Sequence, residues 1–339
     1  MSIRWKAISA ALAVAVATLG VTACSNSSDD KNEITVYNAQ HESLTKEWVD
    51  AFTKETGIKV TLRQGGDTAL GNQLVAEGAA SPADVFLTEN SPAMALVENA
   101  GLFADVDKKT LDQVPAQFRP STGKWTGIAA RSTVFVYNKD KVAADQLPAS
   151  LLDLAQPQWK GRWGAGVSGA DFQAIVAALL ALKGEDATKA WLTGMKNNAT
   201  AFPNNVATMK AVDSGQPDGG VIYHYYWYRD QANTKESSSH TALHYFKNQD
   251  PGAFISVSGG GVLKSSKKQE SAQKFLAFIT AKTGQEILRD GTSLEYPVAS
   301  DVAANPALPA LASLQAPAVD PSKLDAKKVT ALMTEAGLL

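Results

Sequence analysis

One cysteine stands in 339 residues, at Cys24, so no disulfide can form within the chain. No G-x-x-x-x-G-K-[ST] sequence is present, which removes a phosphate-binding P-loop. No H-E-x-x-H pair is present, which removes the commonest zinc-protease signature. There is no internal repeat, no low-complexity tract and no second apolar run after the N-terminus that could cross a membrane. Neither sign of charge dominates: 32 Lys and Arg face 34 Asp and Glu. That balance argues against a nucleic-acid partner.

What is present begins with an export signal. Arg4 and Lys6 precede a mainly apolar run from Ala7 to Val21, too short for a membrane span and typical of a signal peptide over residues 1–23. The run ends in Val21-Thr22-Ala23-Cys24, which resembles the bacterial lipoprotein cleavage box, with Cys24 as the lipidated first residue. Residues 24–32 are polar and aperiodic and read as a tether. Cleavage removes Arg4 and Lys6 and leaves 30 basic against 34 acidic side chains. The remaining length supports two lobes with substantial cores.

The mature sequence alternates strand and helix signals. Ile34–Tyr37 is short and β-branched, and Leu44, Trp48 and Phe52 then fall at i, i+4 and i+8 on one helical face before Gly57. Strands at 58–62 and 83–87 and helices at 68–77 and 92–99 continue the rhythm. A second α/β block carries helices near 171–182, 187–196 and 206–213 and a strand at 220–223. Between the blocks run two long strand candidates, Arg131–Asn138 and Ala253–Ser258, and a single amphipathic helix is expected over 268–289. The pattern predicts two mostly parallel sheets with flanking helices, forming two lobes around a cleft, with crossing strands as the hinge near 131–134 and 253–257. Lobe 1 is expected over 33–131 plus about 256–305, and lobe 2 over 132–255 plus about 306–339.

The densest chemical signal is Tyr223-His224-Tyr225-Tyr226-Trp227-Tyr228, which holds four of the eight tyrosines. Ionised phenol oxygen is a hard ligand suited to hard, highly charged cations such as Fe(III). In open α/β sheets ligands bind beyond the carboxyl ends of strands. His41 follows the first strand, Glu89 the third and the tyrosines the strand at 220–223, so four candidate ligands occupy equivalent positions. Adjacent side chains of a strand point to opposite faces. Tyr225 and Tyr226 can share one ion only if the strand has ended, which predicts a turn or helix start at 224–226. An aromatic strand in a core is the alternative for the tyrosines, as a helix-capping role is for His41 and a solvated loop acid for Glu89.

Gly164-Ala165-Gly166-Val167-Ser168-Gly169 fits G-x-G-x-x-G, but Lys160–Trp163 is a poor buried strand and an exported lipoprotein does not suit a nicotinamide enzyme. The Gly-x-Ser of 166–168 lacks the x-Gly that would complete a hydrolase elbow. What remains is a helix N-terminus after Gly169, able to attract a small anion such as phosphate or carbonate, or simply a tight turn.

Several segments together resemble the bacterial ferric iron-binding proteins, the extracytoplasmic solute receptors of iron ABC transporters. They are Ile34-Thr35-Val36-Tyr37-Asn38-x-Gln40-His41, Pro82-Ala83-Asp84-Val85-Phe86-x-Thr88-Glu89, Tyr225-Tyr226-Trp227-Tyr228, Gln249-Asp250-Pro251-Gly252 and Glu295-Tyr296-Pro297. The likeness extends over nearly all of 33–339. It implies the two-lobed periplasmic-binding-protein fold of type II, and Fe(III) held by His41, Glu89, Tyr225 and Tyr226 with a synergistic anion at Ser168, Gly169, Ala170 and Asn205. It also implies a monomer that delivers iron to a permease and its ATPase, with no catalysis. Two departures stand out: Tyr223-His224 precedes the paired tyrosines where Asn-Asn is common, and Asp171 follows Ala170 where a bulky apolar residue is usual. A receptor of the same fold for a polyamine, a thiamine-like cation or an oxyanion is the competing reading, and a lipid-anchored metalloenzyme a third.

Overall fold

Strand β1 (Glu33–Asn38) is built from Ile34, Thr35, Val36 and Tyr37, residues that suit a pleated, buried surface. It lies between two parallel neighbours, β2 (Lys59–Gln64) and β3 (Val85–Leu87). Parallel neighbours require crossovers, here α1 (Glu42–Thr56) and α2 (Asp67–Glu77). The computed structural model describes residues 32–339. The signal peptide, Cys24 and all of the expected tether except Asn32 lie outside the described residues.

After α3 (Ser91–Asn99) and the short α4 (Lys108–Leu111), the chain enters β4 (Thr126–Asn138), which is longer than the expected 131–138. Its second half pairs with two later strands, Gly219–Tyr223 and Thr241–His244. Around these lie β5 (Trp163–Ala165), α5 (Ala170–Asn198), β6 (Ala199–Ala201), α6 (Asn205–Asp213), β7 (Gly219–Tyr223), α7 (His224–Ala232) and β8 (Thr241–His244). β9 (Ile255–Val262) returns to β3, followed by α8 (Gln269–Thr280), α9 (Lys282–Asp290) and the C-terminal α10 (Ala326–Glu335).

The strand order β2-β1-β3-β9-β4-β7-β5-β6 gives two parallel wings, β2-β1-β3 and β7-β5-β6. The antiparallel strands β9 and β4 join them. The two sheets expected from sequence are therefore one continuous path, because β4 belongs to both. It pairs with β9 over Thr126–Ser132 and with β7 from Thr133 onward. The crossing strands lie where the sequence put them. Separate cores cover the wings. Trp48, Phe52, Phe275 and Phe278 pack beside the first. Trp163, Phe172, Trp191 and, from α10, Val329, Leu332 and Met333 pack beside the second.

Two local expectations need correction and one is met. The glycine-rich segment opens as a strand rather than a loop: Trp163–Ala165 form β5, buried because β5 is central to its wing, while Lys160–Arg162 stay in a turn outside it. The expected helices at 171–182 and 187–196 are both present: α5 is two helices that meet at Gly184, whose non-helical backbone, with a φ of +80°, favours glycine. The long helix expected over 268–289 is two helices broken at extended Ala281. The break lets Gly284 settle on the backbone of Phe278 and Ile279, where its carbonyl accepts the Trp48 indole N–H at 2.7 Å.

Candidate metal centre

Six helix N-termini converge where the wings face one another. His41 is the cap residue of α1, Asp67 opens α2 and Asn90 caps α3. From the other wing come Asp171 at the second position of α5, Asn205 opening α6, and the first turn of α7. Helix N-termini favour negative charge and hydrogen-bond acceptors. The tyrosine segment behaves as its spacing required: β7 ends at Tyr223 and α7 begins at His224. The helical turn brings the Tyr225 and Tyr226 rings side by side, centroids 4.2 Å apart.

His41 Nδ1 lies 3.1 Å from Glu89 Oε1, and the His41 ring meets the Tyr225 ring edge-on at 5.2 Å. Tyr226 donates its hydroxyl to Asp171 Oδ2 at 3.0 Å. The Tyr225 hydroxyl is buried without a hydrogen-bond partner. All four residues singled out as ligands thus meet in one place, two from each wing.

The expected anion residues are arranged differently. Ser168 is exposed, and its carbonyl accepts from Gln173. Gly169 closes a tight turn to the Gly166 carbonyl. Ala170 carries no polar side chain, and Asn205 turns its amide to Asp171 Oδ2 at 2.7 Å. Asp171 also accepts from Asn90 Nδ2 at 2.8 Å, and Arg131 Nη1 lies 3.7 Å away. A carboxylate from the chain itself therefore engages Asn205, the one side-chain amide among the residues expected to meet an exogenous anion. The sequence marked Asp171 only as a departure; its position in the first turn of α5, beside the proposed anion loop, was the available signal.

Arg131, Asn90, Asp67 and Glu295 were not identified as site residues. Arg131 is fully buried on β4, with Nη1 3.2 Å from Glu89 Oε2 and Nη2 bonded to Ser258 Oγ at 2.7 Å and to Glu295 Oε1. An arginine inside an otherwise uncharged strand is the signal that could have found it, since buried arginine demands partners. Asp67 accepts the Glu89 N–H at 2.9 Å and the Asn90 amide at 3.0 Å, so it fixes the loop that carries Glu89. A cavity of about 330 Å³ lined partly by Asp67, Asn90, Ala170 and Lys327 adjoins this network.

Burial sets the protonation pattern. It raises the Tyr225 and Tyr226 phenols well above their ordinary range, and the negative charge of Asp171 adds to the effect. Burial opposes ionisation of Glu89 too, but the His41 hydrogen bond and the Arg131 charge outweigh it and hold Glu89 well below the usual range. Burial and the nearby Glu89 charge push Asp67 up to about 7. For His41, burial favours the neutral ring, yet Glu295 and Glu89 together raise its pKa. His224 is held neutral, pushed down to about 3 by burial and by Arg131.

Chemically, this is a set of hard oxygens with one imidazole. Around an octahedral ion with bonds of about 2.1 Å, adjacent donors lie about 3.0 Å apart. His41 Nδ1 to Glu89 Oε1 at 3.1 Å and Tyr226 Oη to Asp171 Oδ2 at 3.0 Å match that edge. Among the described residues no group of three or more His, Cys, Asp or Glu is arranged to hold a metal ion, so a metal here depends on the phenol oxygens.

Two wings bridged by crossing strands, with a polar centre between them, have the architecture of a solute-binding receptor. The sequence profile of the bacterial extracellular solute-binding proteins matches residues 80–323. The Fe(3+)-binding periplasmic protein of Serratia marcescens is 65% identical over 306 residues, 90% of each chain. The major ferric iron-binding protein of Neisseria gonorrhoeae is 35% identical over 340 residues, 99% of each. The crystal structure of iron-bound HitA from Pseudomonas aeruginosa superposes with a TM-score of 0.84 at 41% identity, covering 90% of this chain and 99% of that one. The chain belongs to the bacterial extracellular solute-binding proteins, among their ferric iron-binding members.

Proposed function

We propose that this chain is an exported receptor that captures Fe(III) between its two lobes and hands it to an ABC permease driven by a cytoplasmic ATPase. The ligands are His41 and Glu89 from lobe 1 (33–131 plus about 256–305) and Tyr225, Tyr226 and Asp171 from lobe 2 (132–255 plus about 306–339). Asp171 takes the part assigned above to phosphate or carbonate. The observation that carries this reading is the meeting of two adjacent phenols with His41, Glu89 and Asp171, with the His41–Glu89 and Tyr226–Asp171 pairs at the spacing of an octahedral edge. Iron joins the lobes and favours the closed form, because a ligand shifts a conformational equilibrium by its differential affinity. The receptor acts as a monomer, tethered through lipidated Cys24 and without catalysis.

Two details disfavour the competing ligands. Buried Arg131 faces the centre and repels an organic cation, and Glu89 with Asp171 repels an oxyanion. The test is to load the chain from residue 25 with Fe(III) and measure iron content and the visible phenolate-to-iron absorption, alongside Tyr225→Phe and Tyr226→Phe. One iron per chain with a coloured band, weakened in each variant, is expected. A colourless, iron-free parent would end the proposal.

A further inference from the structure

Glu295 is a buried carboxylate that this ligand set leaves unused. Its side chain is fully buried, and Oε1 takes the Arg131 guanidinium. Oε2 has no hydrogen-bond partner and lies 3.8 Å from His41 Nε2, which is also buried and without one. A carboxylate oxygen needs a donor and an imidazole N–H needs an acceptor. The two orphaned atoms are complementary, and a small movement of the ring would join them. The other ring nitrogen, Nδ1, is the one at ligand spacing from Glu89.

Resting on the iron-receptor reading, we infer that His41 meets the metal through Nδ1 and that Glu295 accepts its Nε2–H, as a positioning residue. Metal-bound histidines characteristically donate their second N–H to a carboxylate or carbonyl, which fixes the tautomer, the tilt of the ring and its basicity.

The surroundings of Glu295 suit that task. Leu294 is held at a φ of +54°, a strained conformation for a branched side chain and one that concentrates at functional positions. Tyr296 pairs with Ala130 of β4 through backbone bonds of 2.8 and 2.9 Å. The Tyr296 ring stacks on His224 at 4.7 Å, and its hydroxyl donates to the Pro309 carbonyl at 3.0 Å. Glu295 is therefore fixed to the strand that crosses between the lobes, while His41 sits at the start of α1. The contact refers the orientation of a lobe 1 ligand to the hinge.

The experiment uses the mature chain labelled with ¹⁵N-histidine and loaded with Ga(III), a diamagnetic trivalent probe. Long-range ¹H–¹⁵N correlations, with His41→Gln for assignment, identify the metal-bound nitrogen. The expected result is Nδ1 bound and Nε2 carrying a slowly exchanging proton. In Glu295→Gln that proton should move upfield and exchange faster. Fe(III) release to a hydroxamate chelator should rise about 10-fold in Glu295→Gln and about 100-fold in Glu295→Ala, the range for loss of an outer carboxylate, with Glu295→Asp partly restoring it. Both variants leave Arg131 without its buried partner, so metal-free unfolding is followed in parallel, and the spectra of the unmodified chain decide the question if a variant unfolds. Coordination through Nε2, or His41 signals and release rates unchanged in Glu295→Gln, would overturn this inference alone. An unmodified chain that takes up neither ion would overturn it together with the receptor reading.

Discussion

Replacing Asp171 by alanine should convert a receptor that holds iron unaided into one that needs a small anion. In the parent, the carboxylate accepts from Asn90 at 2.8 Å, Asn205 at 2.7 Å and Tyr226 at 3.0 Å. With iron bound, Tyr226 has lost its proton, so removing the carboxylate leaves the Asn90 and Asn205 amides aimed at a space the size of a carboxylate, and a trivalent ion short of one negative ligand. Hydrogen bonds to a charged group are worth about 1.5–3 kcal/mol each. Water entering the cleft recovers part of that, so a net loss of about 3 kcal/mol is expected, a Kd roughly 100-fold weaker. The assay is the rate of iron release to a hydroxamate chelator, with phosphate or carbonate either excluded or added. The parent should be indifferent to anion. Asp171→Ala should release iron about 100-fold faster without anion and recover most of the difference with it, with a shift of the visible band. A parent that requires anion, or a variant as tight as the parent and equally indifferent, would refute the reasoning.

Iron affinity should rise with pH. Burial holds both phenols protonated, and their protons, with that of His41 where it is charged, must leave as iron enters. Release of about two to three protons per iron, read in weakly buffered solution, sets the slope of log affinity against pH; retention that is flat from neutral to acid would contradict it. For the metal-free protein, His224 is held neutral at a pKa of about 3 against an ordinary 6.5, a depressed value. Its contribution is present above pH 6.5 and lost as pH falls towards 3, reaching about 2 kcal/mol at pH 5. Denaturant unfolding of His224→Phe should show a stability difference from the parent that narrows by that amount between pH 7 and 5; a constant difference would exclude the account. Gly284→Ala would set a Cβ 2.4 Å from the Phe278 carbonyl and 2.6 Å from Ile279 Cα, both backbone atoms. Prising apart the α8–α9 corner should cost about 2–4 kcal/mol, visible as a lowered Tm, and an unchanged Tm would show that the corner relaxes freely.

The wings were legible because each has a short periodic signal: β-branched strands, helices with an apolar face, and glycines at the ends. The helix start at 224 was legible for a geometric reason, since adjacent strand residues cannot share one ligand. The single helix expected over 268–289 failed because its apolar spacing continues through Ala281, while the break comes from packing against Trp48 and the Phe278–Ile279 backbone. The continuity of the sheet escaped for a similar reason: no local pattern says that one strand pairs with different partners along its length.

By itself the sequence determined the ends of β1, β3 and β7, and with them the places of His41, Glu89, Tyr225 and Tyr226. Strand-end positions follow from local periodicity. Tertiary structure decided what stands behind and between them: Arg131 bridging Glu89 and Glu295, Asn90 joining Asp67 to Asp171, and Asp171 accepting from Asn205, an amide expected to hold an anion. These contacts join residues 23 to 164 positions apart along the chain. Their pairing is imposed by the need of each buried charge for a partner once the wings face one another, and no pattern in the linear sequence carries that requirement.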